Sequence, residues 1–275
     1  MSGHAERVSR GFRLSLRAAA LVAAGLAGSS ASAQTVDDVV RGYLEARGGL
    51  ARLRAVQSLR LTGTMQIDDV QAPFVVELAR PNRMRTEFVV QGQTGVRAFD
   101  GEHAWARLPL PGEPPRPMSP EEAADARAQA DVDMSPLVDA AAKGFTIELA
   151  GRDRLPGGEA WELIARAHAG SPRSLYLDVR SHLVVETIDT RSVDGQPVEF
   201  VTDVSDYRPV GGLVFPHRIE VGPRGKPERQ RLVIQRVEIN PLIEPGRFAM
   251  PRTSPAAPAG RPAPAAKPQP PAVLP

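Results

Sequence analysis

The sequence predicts an α+β fold in which a long antiparallel meander forms a curved sheet or incomplete barrel with helices on one side. Three observations carry this: strict apolar/polar alternation recurs in short segments, turn residues sit between them, and one Ala-rich, helix-capped stretch interrupts the series midway.

From the N-terminus, Arg7, Arg10, Arg13 and Arg17 precede an apolar run from Ala18 to Gly28, followed by Ala31-Ser32-Ala33. This is the pattern of a secretory signal peptide with cleavage after Ala33. The run is eleven residues, whereas a helix crossing a bilayer needs about 20, so the segment is expected to be removed and the chain not to be an integral membrane protein. The exported form then begins at Gln34 in the periplasm. With no cysteine in the chain, disulfides, thiolate metal sites and cysteine nucleophiles are excluded together. Stability has to come from one core, for which residues 34–251 suffice as a single domain.

Residues 252–275 hold eight of the 27 prolines, interleaved with alanine and without apolar periodicity. This composition predicts a disordered, polyproline-leaning tail with no assigned role. Without leader and tail, 27 basic residues face 31 acidic ones, a balance of −4. Nucleic acid is therefore not an expected partner, because its phosphates are met by clustered basic faces.

Thr35-Val36-Asp37-Asp38 supplies an N-cap and a first-turn acidic pair, and Gly48-Gly49 a stop, so a helix is expected over 36–47. Ser58 to Ile67 alternates, with Leu59, Leu61, Gly63, Met65 and Ile67 on one face. Period two means a half-buried antiparallel strand. The pattern recurs at 73–79, 83–90, 94–99 and 103–107, and again at 145–150, 159–167, 174–179, 183–190, 197–207, 216–221 and 231–239. Pro156-Gly157-Gly158 and Asp194-Gly195 supply hairpin turns. Between the two series, Ser119-Pro120-Glu121-Glu122 is a capped helix start running into 123–130. Ser135-Pro136 is a second start, stopping at Gly144. Such an insert is placed to cover one face of the sheet.

Catalytic motifs are missing from the pattern. His103, His168, His182 and His217 show no metal-ligand spacing, and there is no H-E-x-x-H, G-x-S-x-G, phosphate loop or nicotinamide fingerprint. Asp100, Asp178, Asp189, Asp203 and Asp206 fall at strand ends or turns, where aspartate is common; a carboxylate pair assembled across the fold would not show in spacing. The expectation is a protein that is not an enzyme and holds no metal or cofactor.

Glu77-Leu78-Ala79-Arg80-Pro81-Asn82-Arg83-Met84, followed by Asp100-Gly101-Glu102-His103-Ala104-Trp105, resembles the periplasmic outer-membrane lipoprotein-sorting (LolA/LolB-like) family. That family has a strand ending in Arg-Pro-Asn, a further strand, then an Asp-Gly turn and an aromatic strand. Gly48-Gly49-Leu50, Ser205 to Arg208 with Leu213 to His217, and Asn240-Pro241 with Phe248 to Pro251 extend the resemblance over most of residues 36–251. It implies an unclosed barrel of about eleven strands with helices as a lid over an apolar cavity for acyl chains. It further implies a carrier of lipoproteins or lipids, taking cargo from an inner-membrane donor to an outer-membrane acceptor. The alternative within the same fold is an envelope-stress sensor or regulatory lipid-binding module. By this match Arg80 would latch the lid helices to the sheet through backbone carbonyls of the insert. Met84 would stand where the family has an aromatic residue, keeping the site apolar but deformable, and Trp105 would line the cavity.

Overall fold

The computed structural model describes residues 34–67, 70–168, 171–193 and 195–251. The leader and tail expected at 1–33 and 252–275 lie outside them. Thr35 caps the first helix, α1 (Val36–Ala46), through a reciprocal capping box with Asp38. Gly48 and Gly49 take φ values of 110° and 97°, a conformation open to glycine. They turn the chain into a short second helix, α2 (Leu50–Ala55).

Five strands follow: β1 (Ser58–Ile67), β2 (Val70–Ala79), β3 (Arg83–Val90), β4 (Gln93–Phe99) and β5 (Ala104–Arg107). A two-residue β6 (Arg116–Pro117) precedes the insert, whose one regular helix is α3 (Pro120–Gln129). Seven more strands complete the chain: β7 (Phe145–Leu155), β8 (Gly158–Ala167), β9 (Arg173–Asp178), β10 (Val184–Val193), β11 (Gln196–Val210), β12 (Leu213–Pro223) and β13 (Gln230–Ile239).

The expected strands are all present, with β6 as an addition that alternation cannot register because it is only two residues long. The helix expected from Ser135 to Gly144 is corrected: that stretch is a series of turns. Met134 and Asp139 have φ of 54° and 52°, which an α-helix cannot accommodate. Side-chain ion pairs of Asp139 and Lys143 hold the irregular course.

All thirteen strands form one sheet in the order β6-β5-β4-β3-β2-β1-β13-β12-β11-β10-β9-β8-β7. It is an incomplete barrel, open between its two edges, with the helices on one face. The first and last strands pair in the middle, Leu59 opposite Ile239. The two edges, β6 and β7, are therefore consecutive in sequence, and the insert between them has to bridge the open side. The edge at β7 carries a register irregularity between Leu149 and Gly151 and then Arg152, Asp153 and Arg154, features that discourage pairing with a foreign strand.

One face bears the core. Leu59, Leu61 and Met65 of β1, Leu78, Met84, Phe99, Leu163, Leu175, Leu177 and Phe215 pack with Val39 and Tyr43 of α1, Leu53 of α2, and Ala126, Ala130, Leu137 and Val138 of the insert. The opposite face holds a small separate cluster of Val96, Ala98 and Trp105.

Candidate functional site

Arg80 ends β2's run toward the helices and is pulled between two elements. Its Nε donates to the Val56 carbonyl at 2.7 Å, just past α2, and Nη2 lies 3.5 Å from the Leu53 carbonyl. Nη1 and Nη2 reach the Asp133 carboxylate in the insert at 3.3 and 2.5 Å. The arginine thus joins sheet, α2 and insert, but its partner in the insert is a side chain and not the backbone carbonyls expected. The Asp133 side chain is only 1% exposed and also meets Lys143 Nζ at 2.8 Å, while Lys143 in turn pairs with Asp131 at 2.7 Å. A carboxylate so buried requires both cations, since an unpaired charge there would be costly. Asp131, Asp133 and Lys143 are members of this site that sequence reasoning missed. No local pattern marks them, because Asp133 is recognisable only by the cation that lies 53 positions upstream.

Met84 is 2% exposed and sits on the core face, opposite Phe99 in the β3–β4 pair. It lies under α3, which packs on β3, β4 and β5. Trp105 does not line that space. It pairs with Ala98, one residue out of phase with the Phe99–Ala104 pair that faces the core. The ring is therefore on the other side of the sheet. There its Nε1 donates to the Phe248 carbonyl at 2.8 Å and Arg85 stacks 5.3 Å from its ring. Arg247 clamps the same C-terminal segment to Glu77 and Glu87 at 2.9 and 3.1 Å. The role of Trp105 in the structure is to seat residues 245–251 on the outer face.

Past α3 the insert buries Ala130, Val132, Leu137 and Val138 in the core, whereas α3 itself is held mostly by polar contacts. Within α3 only Ala126 is buried. Ser119 and Glu122 form a capping box, and Arg116 grips the Glu122 carboxylate with two bonds of 3.0 and 2.9 Å. Those bonds, with the Ser119 N–H, push the Glu122 carboxyl down to about 2. Arg127 stacks over Phe99 at 5.6 Å. Across the open side, Ser192 at the tip of β10 donates to Glu121 of α3 at 2.8 Å. Near the other end of the insert, Arg54 of α2 pairs with Asp139.

On the core face, toward the ends of the strands remote from α1 and α2, burial is incomplete. Phe88, Val90, Val204, Ile219 and Leu232 are partly exposed yet pack against the core. Register places Val204 beside Ile219, and Ile219 and Met65 both beside Leu232. Phe74 and Phe88 are paired and flanked by Gly63 and Gly95. A Cβ on Gly95 would come within 2.4 Å of the Phe88 ring, so the glycine lets the ring lie flat on the strand. The result is an apolar floor at the mouth of the half barrel, beside a bridging segment fixed by ion pairs. Among the described residues no three His, Asp or Glu side chains group as a metal site, and no helix is long and apolar enough to cross a membrane.

At the opposite end, Arg47 is 4% exposed and pins α1: Nε donates to the Val214 carbonyl at 2.8 Å and Nη1 to the Tyr43 hydroxyl at 2.6 Å. Its guanidinium stands over the Tyr43 and Phe215 rings. The helical end is therefore docked through Arg47, and the helix with the smallest buried share on this face is α3, with Ala126 alone buried.

No protein-family model and no curated protein matches the sequence. Solved structures do resemble it in fold. An outer membrane lipoprotein-sorting protein domain from Vibrio parahaemolyticus aligns with a TM-score of 0.51 at 8% identity, over 77% of this chain and 94% of that one. A LolA superfamily protein from Nitrosomonas europaea aligns at 0.52 and 12% identity, over 79% of this chain and 98% of that one. A DUF1329 family protein from Desulfovibrio piger aligns at 0.52 and 10%, over 77% and 97%. With the half-barrel sheet and its helical face, these alignments give the chain the fold of the LolA-like lipoprotein-sorting proteins.

Proposed function

We propose that this protein is a periplasmic carrier that shelters the acyl chains of lipoproteins or lipids on the core face of its half barrel, beneath the insert, without chemical change. The observation that carries the proposal is the apolar floor of Phe88, Val90, Val204, Ile219 and Leu232 at the mouth. It lies beside α3, which buries only Ala126 and is attached by polar contacts, so that this helix can lift without exposing a large apolar surface of its own. The fold shared with lipoprotein-sorting proteins supports the same reading.

Energetics define what the insert has to do. Each buried methylene contributes roughly 0.8 kcal/mol, so a chain of about fifteen would gain more than about 10 kcal/mol and leave slowly. A carrier needs an opposing term. Re-formation of the Arg80–Asp133–Lys143 bonds on closure provides one, because the closed insert and the acyl chain compete for the same floor.

The test is titration of the delipidated, exported protein with a fluorescent fatty acid, followed by displacement with phospholipid or an acylated peptide. Saturable binding that Leu232→Asp weakens is expected. A folded, delipidated protein that binds neither probe refutes the carrier reading. In the same preparation, the intact mass should begin at Gln34; a chain retaining residues 1–33 in membranes would overturn the assignment to the periplasm.

A further inference from the structure

At the mouth, next to the apolar floor, lies a cavity of about 250 Å³ lined by Arg191, Phe200, Val221, Gly222, Pro223, Glu228, Arg229 and Gln230. Phe200 and Val221 stand on the core face, since Phe200 alternates with Val204 along β11 and Val221 with Ile219 along β12. Residues two apart on one face are separated by about 7 Å, so the cavity continues the floor along the strands. Its volume is below the roughly 300 to 1,000 Å³ of pockets that enclose a whole small ligand. It takes a group, not a molecule.

The polar lining is Arg191, Glu228, Arg229 and Gln230, and Arg191 is the cation held on the core face. Its guanidinium stacks 4.5 Å from the Phe200 ring centre, which fixes its plane. Asp189, two residues back on the same face, takes Nε at 2.7 Å and Nη2 at 3.3 Å. Nη1 has no partner among the described residues. A guanidinium oriented by a carboxylate along one side and an aromatic ring across its face presents its remaining N–H groups in a set direction. That geometry suits an oxyanion with two acceptor oxygens. Arg229 is turned away, its guanidinium paired with Asp203, which stands on the opposite face in register with Glu186 and Glu220.

We propose that this cavity binds the phosphodiester of a glycerophospholipid through Arg191 while the acyl chains lie along the floor toward Val204 and Ile219. The inference rests on the carrier reading and narrows its cargo: an acylated glyceride without phosphate would fill the floor but leave Arg191 unused. Phe200, Val221 and Pro223 would meet the glycerol and first methylenes, where the lipid changes from polar to apolar.

The experiment compares dioctanoylphosphatidylglycerol with dioctanoylglycerol, below micelle formation, on the delipidated exported protein, with inorganic phosphate as competitor. The phospholipid is expected to bind at least about tenfold more tightly, the scale of one charge-assisted hydrogen bond. Arg191→Gln should collapse that ratio toward one, and Arg191→Lys should restore part of it, because charge remains and the fork is lost. Equal affinity of the wild type for the two lipids, or a ratio that survives Arg191→Gln, overturns the inference while leaving the carrier reading intact. Displacement of the phospholipid by an equal concentration of inorganic phosphate would assign the cavity to free phosphate and overturn the lipid assignment. Binding of neither lipid would overturn the carrier reading and this inference with it.

Discussion

Replacing Arg80 with leucine tests the part in ligand release proposed for the insert. The substitution removes the 2.7 Å bond to the Val56 carbonyl and both bonds to Asp133, leaving Asp133 only Lys143 at 2.8 Å. Hydrogen bonds to charged groups contribute about 1.5 to 3 kcal/mol each, but the Arg80 side chain is 28% exposed, so solvent screening reduces the total. A loss of about 3 kcal/mol for the closed insert is a reasonable magnitude, equivalent to roughly 150-fold in the closed-to-open ratio. If closure opposes acyl binding, the bound state gains what the closed state loses. Arg80→Leu should then release a fluorescent fatty acid between about ten and 100 times more slowly. Amide hydrogen exchange across residues 119–144 of the ligand-free protein should quicken in parallel. Stopped-flow displacement measures the first and mass-resolved exchange the second. A global loss of the same size would lower Tm by about 2 to 4 °C per kcal/mol in a domain of this length, and a local one by much less. Unchanged or faster release, with unchanged exchange in the insert, would refute the argument that the Arg80–Asp133 contact expels cargo.

Three other outcomes follow from particular contacts. Trp105→Phe removes the bond to the Phe248 carbonyl and should cost about 1 to 2 kcal/mol, read as a lower Tm and earlier proteolysis after residue 240, with acyl affinity unchanged; weakened lipid binding would return Trp105 to the ligand site. Gly95→Ala places a Cβ 2.4 Å from the Phe88 ring, so overpacking should destabilise by about 1 to 3 kcal/mol and displace Phe88 from the floor, lowering fatty-acid affinity; wild-type affinity and stability would show the ring to be freely movable. The Glu122 carboxyl, lowered from 4.5 to about 2 by Arg116 and Ser119, stabilises the start of α3 fully above its unfolded value, and that contribution is lost as pH falls through about 2. Exchange protection of residues 119–123 should therefore hold from neutral pH to about 4.5 and decline below it, and in Glu122→Gln this decline should be absent.

Much of the fold is legible in local sequence because its causes are local. Alternation from Ser58 to Ile67 is a property of ten successive residues, and Thr35 with Asp38, or Ser119 with Glu122, carries its capping partner three positions away. The resemblance singles out Arg80 at its Arg-Pro-Asn motif and Met84 where the family has an aromatic residue. Where a local signal misled, as at Ser135-Pro136, a capped start was present, but Asp139 and Lys143 had partners elsewhere that made turns the better solution.

What only the tertiary structure decided depends on pairing between distant parts of the chain. Alternation states that Ala104 and Trp105 face opposite ways, but not which of them faces the helices. That follows from the register across the Asp100-Gly101 turn, which sets Trp105 beside Ala98 and Ala104 beside Phe99. The union of β1 with β13 joins residues some 180 positions apart and makes β6 and β7 the edges, so that the insert has to bridge them. Asp133 becomes a buried partner of Arg80 only once that bridge is in place, because a charge is tolerated in the interior only where the fold brings its counter-charges to it.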